Sequence, residues 1–316
     1  MTSNEHDQHN HGHDHNHGNH NHGDDHVFDE AKWAAMAEAT EEQGDVLSEF
    51  VKGAIAWIKE IRGADVHDPA HIIDVGSGPG VASTAFAIAF AAAVVTAADS
   101  SPAMLARAAA RAERLGLGNR VRTVVTEMPG GLASLEPADI VWASMSLHHV
   151  GDEVEALKEM HDALRPGGLV VIAEFPPNEH LLSIDSPSIN AEVPDLWPRL
   201  RTASQEWFSD MRAALPGHKP TRPLEEMVTE AGFEILGSRI ERLHLDAPLS
   251  DVARRTAGKL GVGLARRQLA GFLDANDLAH LDALADPSDP RCVQNRDDVS
   301  LDGAQLIVIA RRGPQG

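Results

Sequence analysis

The sequence predicts an α/β fold with a doubly wound, mainly parallel sheet. Short apolar runs alternate with longer segments of helical periodicity, which is the pattern of parallel strands joined by crossover helices. A glycine-rich stretch follows the first of these runs, as in strand-to-helix turns that approach a ligand. We therefore expect a Rossmann-like, seven-stranded sheet with helical cap insertions and a disordered N-terminal tail.

The strands and helices of the expected core follow one another in regular order. Ser101 before Pro102, and Asp152 before a periodic segment, are typical helix starts. The RPGG segment at 165–168 is expected to separate the third helix from the next strand. The five strands are expected at 71–75, 93–98, 121–125, 140–143 and 169–175, with helices at about 80–92, 102–115 and 152–164.

The remaining segments surround this core, which we place at 70–175. Residues 1–26 hold nine of the 18 histidines and no apolar residue after Met1, so this tail is predicted to be disordered. Residues 27–69 are expected to form N-terminal helices, one of which is amphipathic and ends near Gly63.

The C-terminal half is expected to complete the sheet and to cover it. A proline-rich segment at 176–222, with one helix at about 197–214, is predicted to be a cap insertion. Residues 223–316 are predicted to add a helix at 223–231 and two final strands, near 233–242 and at 304–311. A helical insertion at about 243–303, with helices near 249–272 and 276–285, separates those strands and is expected to form a lid with the first insertion.

The charge, apolar content and cysteine content of the sequence limit the kinds of partner that we expect. The formal net charge of -21 argues against nucleic acid or an anionic membrane, because both are bound mainly through Lys and Arg. The longest apolar run, 85–95, is shorter than the roughly 18 residues that span a bilayer. Cys292 is the only cysteine, so no disulfide forms within the chain. We expect a cytoplasmic protein that binds a small molecule.

The glycine-rich stretch, IIDVGSGPG at 72–80, points to a particular kind of ligand. Its spacing is GxGxG, whereas dinucleotide-binding turns carry GxGxxG. Asp74 stands two residues before the first glycine, where a carboxylate would repel a pyrophosphate but could help to hold an ammonium group. This combination favours a ligand with an amino-acid end.

Two further acids follow the next two strands. Asp99 ends the second strand, where a carboxylate can accept both hydroxyls of a ribose, although it could instead cap the following helix. Glu127 follows the third strand and could accept a hydrogen bond from an adenine amino group, or it could be a solvated loop acid. Both positions are consistent with a nucleoside.

Five segments in this order resemble the class I S-adenosylmethionine-dependent methyltransferases, within them the small-molecule group related to the ubiquinone and menaquinone methyltransferases. The resemblance implies that S-adenosylmethionine is the cofactor and that an O, N or C nucleophile of a metabolite is methylated. It covers about 70–240. The segments are IIDVGSGPG (72–80), AADSSPAML (97–105), VVTEMPG (124–130), ADIVWASMSLHHV (138–150) and LRPGGLVVIAEF (164–175).

The resemblance also implies which residues hold the cofactor. The methionine part would lie on the loop after the first strand, the ribose and adenine near the ends of the second and third strands, and the amino group near the end of the fourth. In that order the residues are Asp74, Gly76, Ser77 and Gly78; Asp99 and Ser100; Glu127 and Met128; and Ala143 and Ser144. The sequence departs from the family pattern at Thr126, where glycine is usual before the acid, and in the long insertion between the last strands.

His149 and Glu174 are the candidate catalytic residues. Each follows or ends a strand at the expected ligand-binding edge, and each could take a proton from the acceptor if the reaction requires it. The alternatives are a core or capping role for His149 and a hydrogen bond to a backbone amide for Glu174. Asp139, at the start of the fourth strand, is expected to be structural. No metal-binding residues are predicted in the core.

Two other functions fit parts of the sequence. The first alternative is a metal-handling or cofactor-binding protein without catalysis. The histidines of residues 1–26 could bind Ni, Zn or Cu, although this binding could be adventitious. A methyltransferase acting on RNA or protein is the second alternative, and the acidic composition argues against it.

A variant that lacks residues 1–26 should keep its melting temperature and its affinity for S-adenosylmethionine, because a polar segment buries no apolar surface. It should lose most of its nickel and zinc binding. Thermal melts and calorimetric titrations of both forms in metal-free buffer test this, and loss of cofactor binding in the shortened form would contradict it.

Overall fold

The computed structural model describes residues 30–63, 68–179 and 182–313. The histidine-rich segment 1–26, for which disorder was predicted, lies outside this part of the chain. No helix within the described residues is long and apolar enough to cross a membrane.

The central sheet confirms the predicted fold class. Its order is β3-β2-β1-β4-β5-β8-β7, with β1 to β5 parallel and β8 antiparallel to both of its neighbours, while a short extra strand, β6, pairs with the start of β8. The strands are β1 His71–Val75, β2 Val94–Asp99, β3 Val121–Val125, β4 Ala138–Ser144, β5 Leu164–Glu174, β6 Ser183–Asp185, β7 Phe233–Leu245 and β8 Ser300–Arg312.

Helices cover both faces of this sheet, as a doubly wound fold requires. Apolar side chains of α2 (Ser48–Arg62), α3 (Val81–Ala89) and α4 (Pro102–Arg114) share one buried cluster with one face of the strands. Those of α5 (Glu153–Ala163) and α8 (Leu224–Glu230) pack on the opposite face. An N-terminal helix, α1 (Glu30–Val46), precedes them.

The second half of the chain contributes a helical layer that we call the cap. Its elements share a third apolar cluster, separate from those of the sheet. They are α6 Pro187–Glu192, α7 Leu196–Ala213, α9 Asp251–Thr256, a π-helical turn Ala257–Val262, α10 Gly263–Gln268 and α11 Ala275–Ala285.

Several predicted boundaries differ from the structure. The RPGG segment lies within β5 rather than before it, because Leu164 already pairs with Ala138 and the register shifts only afterwards. The predicted helix at 249–272 ends at Gln268 and contains the π-helical turn. The two last strands are longer than predicted because they stay paired as far as Leu245 and Leu301, which shortens the insertion to 246–299.

Helix α1 connects the core to the cap through ion pairs. Glu41 is buried and lies within 3.1 Å of guanidinium nitrogens of Arg107, Arg111 and Arg114, all on α4. Its neighbour Glu42 pairs with Arg255 of α9 at 3.1 Å. One face of α1 is therefore anchored to both parts of the molecule.

The structural role predicted for Asp139 is confirmed. Its Oδ2 atom accepts hydrogen bonds from the amides of Ala70 (2.7 Å) and His71 (3.0 Å), and Oδ1 pairs with Arg165 at 2.9 Å. Because these donors hold the ionised form, the pKa of Asp139 is lowered in spite of its partial burial. The carboxylate fastens the start of β1 to β4, at the edge opposite to the predicted site.

Gly80, the N-cap of α3, is the tightest contact between the glycine loop and α4. Its φ is +78°, and an added Cβ would lie 2.7 Å from the Cβ of Ala108. Gly116 has a similar φ of +70°, but an added Cβ there would meet nothing within 4 Å. A side chain would therefore be strained at both glycines, but would overlap with a neighbouring residue only at Gly80.

Gly80→Ala should lower the free energy of unfolding by about 2–5 kcal/mol, the sum of roughly 1–2 kcal/mol for a non-glycine residue at positive φ and roughly 1–3 kcal/mol for overpacking. Gly116→Ala should lower it by the first part only, about 1–2 kcal/mol. Urea denaturation of both variants measures the difference, and equal losses would show that the helices yield at Gly80.

Candidate functional site

The glycine loop after β1 is fixed by hydrogen bonds to the end of β2. The amides of Gly76 and Ser77 donate to the carbonyl of Ala98 at 2.8 and 3.1 Å, and the amide of Gly78 donates to Asp99 Oδ2 at 2.8 Å. Gly78 has a φ of +52°, and an added Cβ would point into open space. The loop thus presents a smooth backbone surface at the carboxyl edge of the sheet, where ligands of open α/β folds bind.

Asp74 lies beneath this loop and is almost completely buried. The hydroxyl of Ser83 donates to its Oδ2 atom at 2.5 Å. Burial, opposed by the Ser83 hydrogen bond and reinforced by the nearby charge of Asp99, raises the pKa of Asp74 to about 7. Both the neutral and the ionised carboxyl are therefore present near neutral pH.

Asp99 orders the backbone around it without capping α4. Its Oδ1 atom accepts from the amide of Ser101 at 2.9 Å, while the N-cap of α4 is the hydroxyl of Ser101, which accepts from Met104. Each carboxylate oxygen that receives an amide keeps acceptor capacity, since an ionised carboxylate offers about four lone-pair sites. The side chain is half-buried, and its contact with ribose hydroxyls stays a prediction.

The three predicted adenine-contacting residues border the same edge. The amide of Thr126 donates to the carbonyl of Asp99 at 3.0 Å, which keeps the segment after β3 close to β2. Ser100 and Glu127 are exposed, whereas Met128 is partly buried against the main apolar cluster. Their contact with a cofactor stays a prediction.

The end of β4 lies beside the glycine loop. Ala143 is the register partner of Val75 in β1, and Ser144 pairs with Ala173 in β5. The hydroxyl of Ser146 then donates to the carbonyl of Val75 at 3.2 Å. The predicted methionine-binding residues of β1 and β4 are therefore brought together.

Glu174 makes the backbone contact that was its predicted alternative. Its Oε1 atom accepts from the amides of Ser146 (3.0 Å) and Leu147 (2.7 Å), and Oε2 lies 2.6 Å from His148 Nδ1. The carboxylate is 8% exposed, so these donors hold it in place at the end of β5. Its role as a base stays a prediction.

His149 lies in a cluster of rings at the end of β4. Its ring centroid is 4.2 Å from that of His148, which also contacts the rings of Phe175 (5.2 Å) and Phe208 (5.7 Å). Burial lowers the pKa of His149 to about 3, and the charges of His148 and Arg212 contribute in the same direction. The imidazole is therefore neutral throughout the physiological range.

Arg212 is a site-bordering residue that the sequence analysis missed. It is 2% exposed, its Nη1 atom donates to the carbonyls of His148 (2.8 Å) and Val150 (2.5 Å), and its guanidinium forms an ion pair with Glu153. The sequence does contain a signal of its burial, because Arg212 stands directly after Met211 on the buried face of α7, which also includes Leu200.

In the part of the chain that the structure describes, no group of three or more His, Cys, Asp or Glu side chains could hold a metal ion. The histidines of residues 1–26 lie outside it. Cys292 is buried and forms no disulfide.

Comparison with known proteins finds similarity to methyltransferases. Residues 72–168 match a family model described as a methyltransferase domain. The trans-aconitate 2-methyltransferase of Streptomyces avermitilis is 33% identical over 121 residues, which cover 38% of this chain and 42% of that protein. The ubiquinone/menaquinone biosynthesis C-methyltransferase of Pseudoalteromonas translucida is 23% identical over 195 residues, 60% of this chain and 78% of that protein.

A solved structure shares the fold. A protein from Haloferax volcanii, described as a methyltransferase in complex with the Trm112 activator, matches with a TM-score of 0.50 and 15% identity over 89% of this chain and 98% of its own. At that identity the match supports the fold alone. The chain spans about two fifths of the length of the trans-aconitate methyltransferases that it matches.

His149 should not titrate between pH 8 and pH 5, because its pKa is lowered from 6.5 to about 3. Below about pH 6.5 the unfolded chain binds a proton at this ring that the folded chain does not, so the free energy of unfolding should fall as the pH is lowered toward 3. Imidazole NMR shifts, assigned with a His149→Gln variant, measure the pKa. An inflection near pH 6.5 would contradict the expected burial.

Proposed function

We propose that this chain, whose residues 72–168 match a family model described as a methyltransferase domain, is a class I S-adenosylmethionine-dependent enzyme that transfers a methyl group to a small-molecule acceptor. The observation that carries the proposal is the geometry around Gly78. An open backbone surface lies there beside the Asp99 carboxylate, which is the arrangement that a nucleoside with an amino-acid end requires.

The residues present fit this cofactor. The hydroxyl of Ser77 is buried and has no hydrogen-bond partner among the described residues, so a ligand on the loop would satisfy it. The space above Gly78 would be filled by any side chain, which explains the choice of glycine. Asp74 supports the loop from below, and its ionised form would favour a cationic ligand.

The cofactor supplies a sulfonium-bound methyl group, and the chain's own residues hold and orient the reactants. Asp99 would accept the ribose hydroxyls, with Ser100, Glu127 and Met128 along the adenine. The backbone at Ala143 and Ser144 would meet the amino group. Since the reactivity resides in the cofactor, the protein contributes positioning and exclusion of water.

On the acceptor side we propose a hydrogen-bonding role for His149. An imidazole with a pKa of about 3 is neutral, so it can donate or accept a hydrogen bond, but it is a weak base for an alcohol or an amine. Glu174, held by two amides and His148, supports the segment that carries His149. This favours acceptors that need no strong base, such as carboxylates or activated carbons.

The proposed class of acceptor rests on charge and on the relatives. The net charge of -21 disfavours RNA, and the relatives named above act, by their names, on trans-aconitate and in the biosynthesis of ubiquinone and menaquinone. The single cysteine supports a cytoplasmic location. Binding of Ni, Zn or Cu by residues 1–26 is a separate proposal.

Gly78→Val should abolish binding of S-adenosylmethionine and S-adenosylhomocysteine, because the new side chain occupies the ligand's space. Gly116→Val is the matched control: it shares the positive φ and open surroundings, but lies after α4 at the opposite edge of the sheet. Asp99→Ala should weaken binding by roughly 1.5–3 kcal/mol, the scale for a hydrogen bond to a charged group. Isothermal calorimetry measures all three variants.

The unmodified protein should bind either cofactor form more tightly than NAD; the reverse order would overturn the proposal.

Transfer of label from methyl-labelled S-adenosylmethionine to a cell extract, separated into small molecules and polymers, tests the acceptor class. Label in the RNA or protein fraction alone would exclude a small-molecule acceptor.

A further inference from the structure

The segment after β4, residues 146–150, is held from two sides by buried charges of opposite sign. Glu174 accepts from the amides of Ser146 and Leu147 at its beginning. Arg212 donates to the carbonyls of His148 and Val150 at its end. Each charge faces the backbone groups of complementary polarity, so the short 3-10 turn Leu147–His149 is fixed at both ends.

The two charges come from different parts of the molecule. Glu174 ends β5 and belongs to the sheet, whereas Arg212 lies in the last turn of α7, a helix of the cap. The ion pair of Arg212 with Glu153 adds the first turn of α5, which follows the same segment. One guanidinium therefore joins the cap, the turn and the helix after it.

This arrangement works only while α7 is docked. Moving the helix away would remove the donor from the partly buried carbonyls of His148 and Val150 and from the buried carboxylate of Glu153. Loss of a partner by a buried group is costly. The docked position of the cap and the conformation of residues 148–150 therefore stabilise each other.

Arg212 is poorly placed to bind an acceptor itself. Its side chain is 2% exposed, and its charge is opposed by Glu153, which is 5% exposed. Its influence on the site passes through the backbone that carries His149.

We propose that Arg212 is a positioning residue of the methyl-transfer site: from the cap helix α7 it fixes the turn that carries His149, so that the acceptor side of the site is complete only when the cap is docked. The role of Arg212 in methyl transfer rests on the proposed function, whereas its effect on the conformation of the turn does not. Cofactor binding, which we place on the loops after β1, β2 and β3 and on the backbone at the end of β4, makes no use of Arg212.

The test is amide hydrogen exchange at His149 and Val150, whose amides close the turn by donating to Ser146 and Leu147 carbonyls. In Arg212→Met both amides should exchange at least about 10-fold faster than in the unmodified protein. Affinity for S-adenosylhomocysteine should stay within about 2-fold. Label transfer from methyl-labelled S-adenosylmethionine to the small-molecule extract should fall at least about 10-fold.

Arg199→Met is the matched control. Arg199 lies on the same helix, about 20 Å away along its axis, and binds the buried carboxylate of Asp277 through two hydrogen bonds of 2.6 and 2.8 Å. This variant also removes an ion pair that anchors α7, yet exchange at His149 and Val150 should be unchanged.

A double variant, Glu153→Met with Arg212→Met, guards against a simple folding defect. Replacing both partners leaves no unpaired charge, so the melting temperature should recover relative to Arg212→Met alone, while the carbonyls stay unpaired and exchange stays fast. The proposal would be overturned if the two amides exchanged at the rate of the unmodified protein in both Arg212→Met and the double variant. It would also be overturned if Arg199→Met accelerated their exchange as much as Arg212→Met does. Failure of the unmodified protein to bind S-adenosylhomocysteine would instead overturn the proposed function.

Discussion

The hydrogen bond from the Gly78 amide to the Asp99 carboxylate is the contact on which the site depends. Parallel strands end at the same edge of the sheet, so the loops after β1 and β2 approach each other there with amides that need acceptors. Asp99 supplies one acceptor for the glycine loop and one for the start of α4. It thereby sets the distance between the two loops that a nucleoside would bridge.

The same solution recurs farther along the edge. Asp74 accepts from Ser83 below the first loop, and Glu174 accepts from two amides after β4. In each case a carboxyl group at or near a strand end holds a neighbouring segment, which is the start of helix α3 for Asp74 and the turn after β4 for Glu174. Positioning of this kind suits a reaction whose chemical reactivity lies in the cofactor.

The sequence predicted the features that depend on local pattern. Alternating apolar and periodic segments predicted the sheet, and the strand ends predicted that Asp74, Gly78, Asp99 and Ser144 would share an edge. The partner of Glu174 and the role of Arg212 depend on contacts 26 to 64 residues apart, which no local pattern reveals. The RPGG segment was wrong as a strand boundary because pairing to Ala138, not local turn preference, decides where β5 begins.

The pairing of Leu245 with Leu301 has a consequence for the segment that lies between them. These two residues lie side by side at the end of the hairpin of β7 and β8, so the 55 residues between them begin and end at neighbouring points. A tight turn could join the same points, since closing a hairpin needs only two to five residues. The insertion thus leaves the sheet and returns to it at neighbouring points, so its length can change without altering the pairing of β7 with β8.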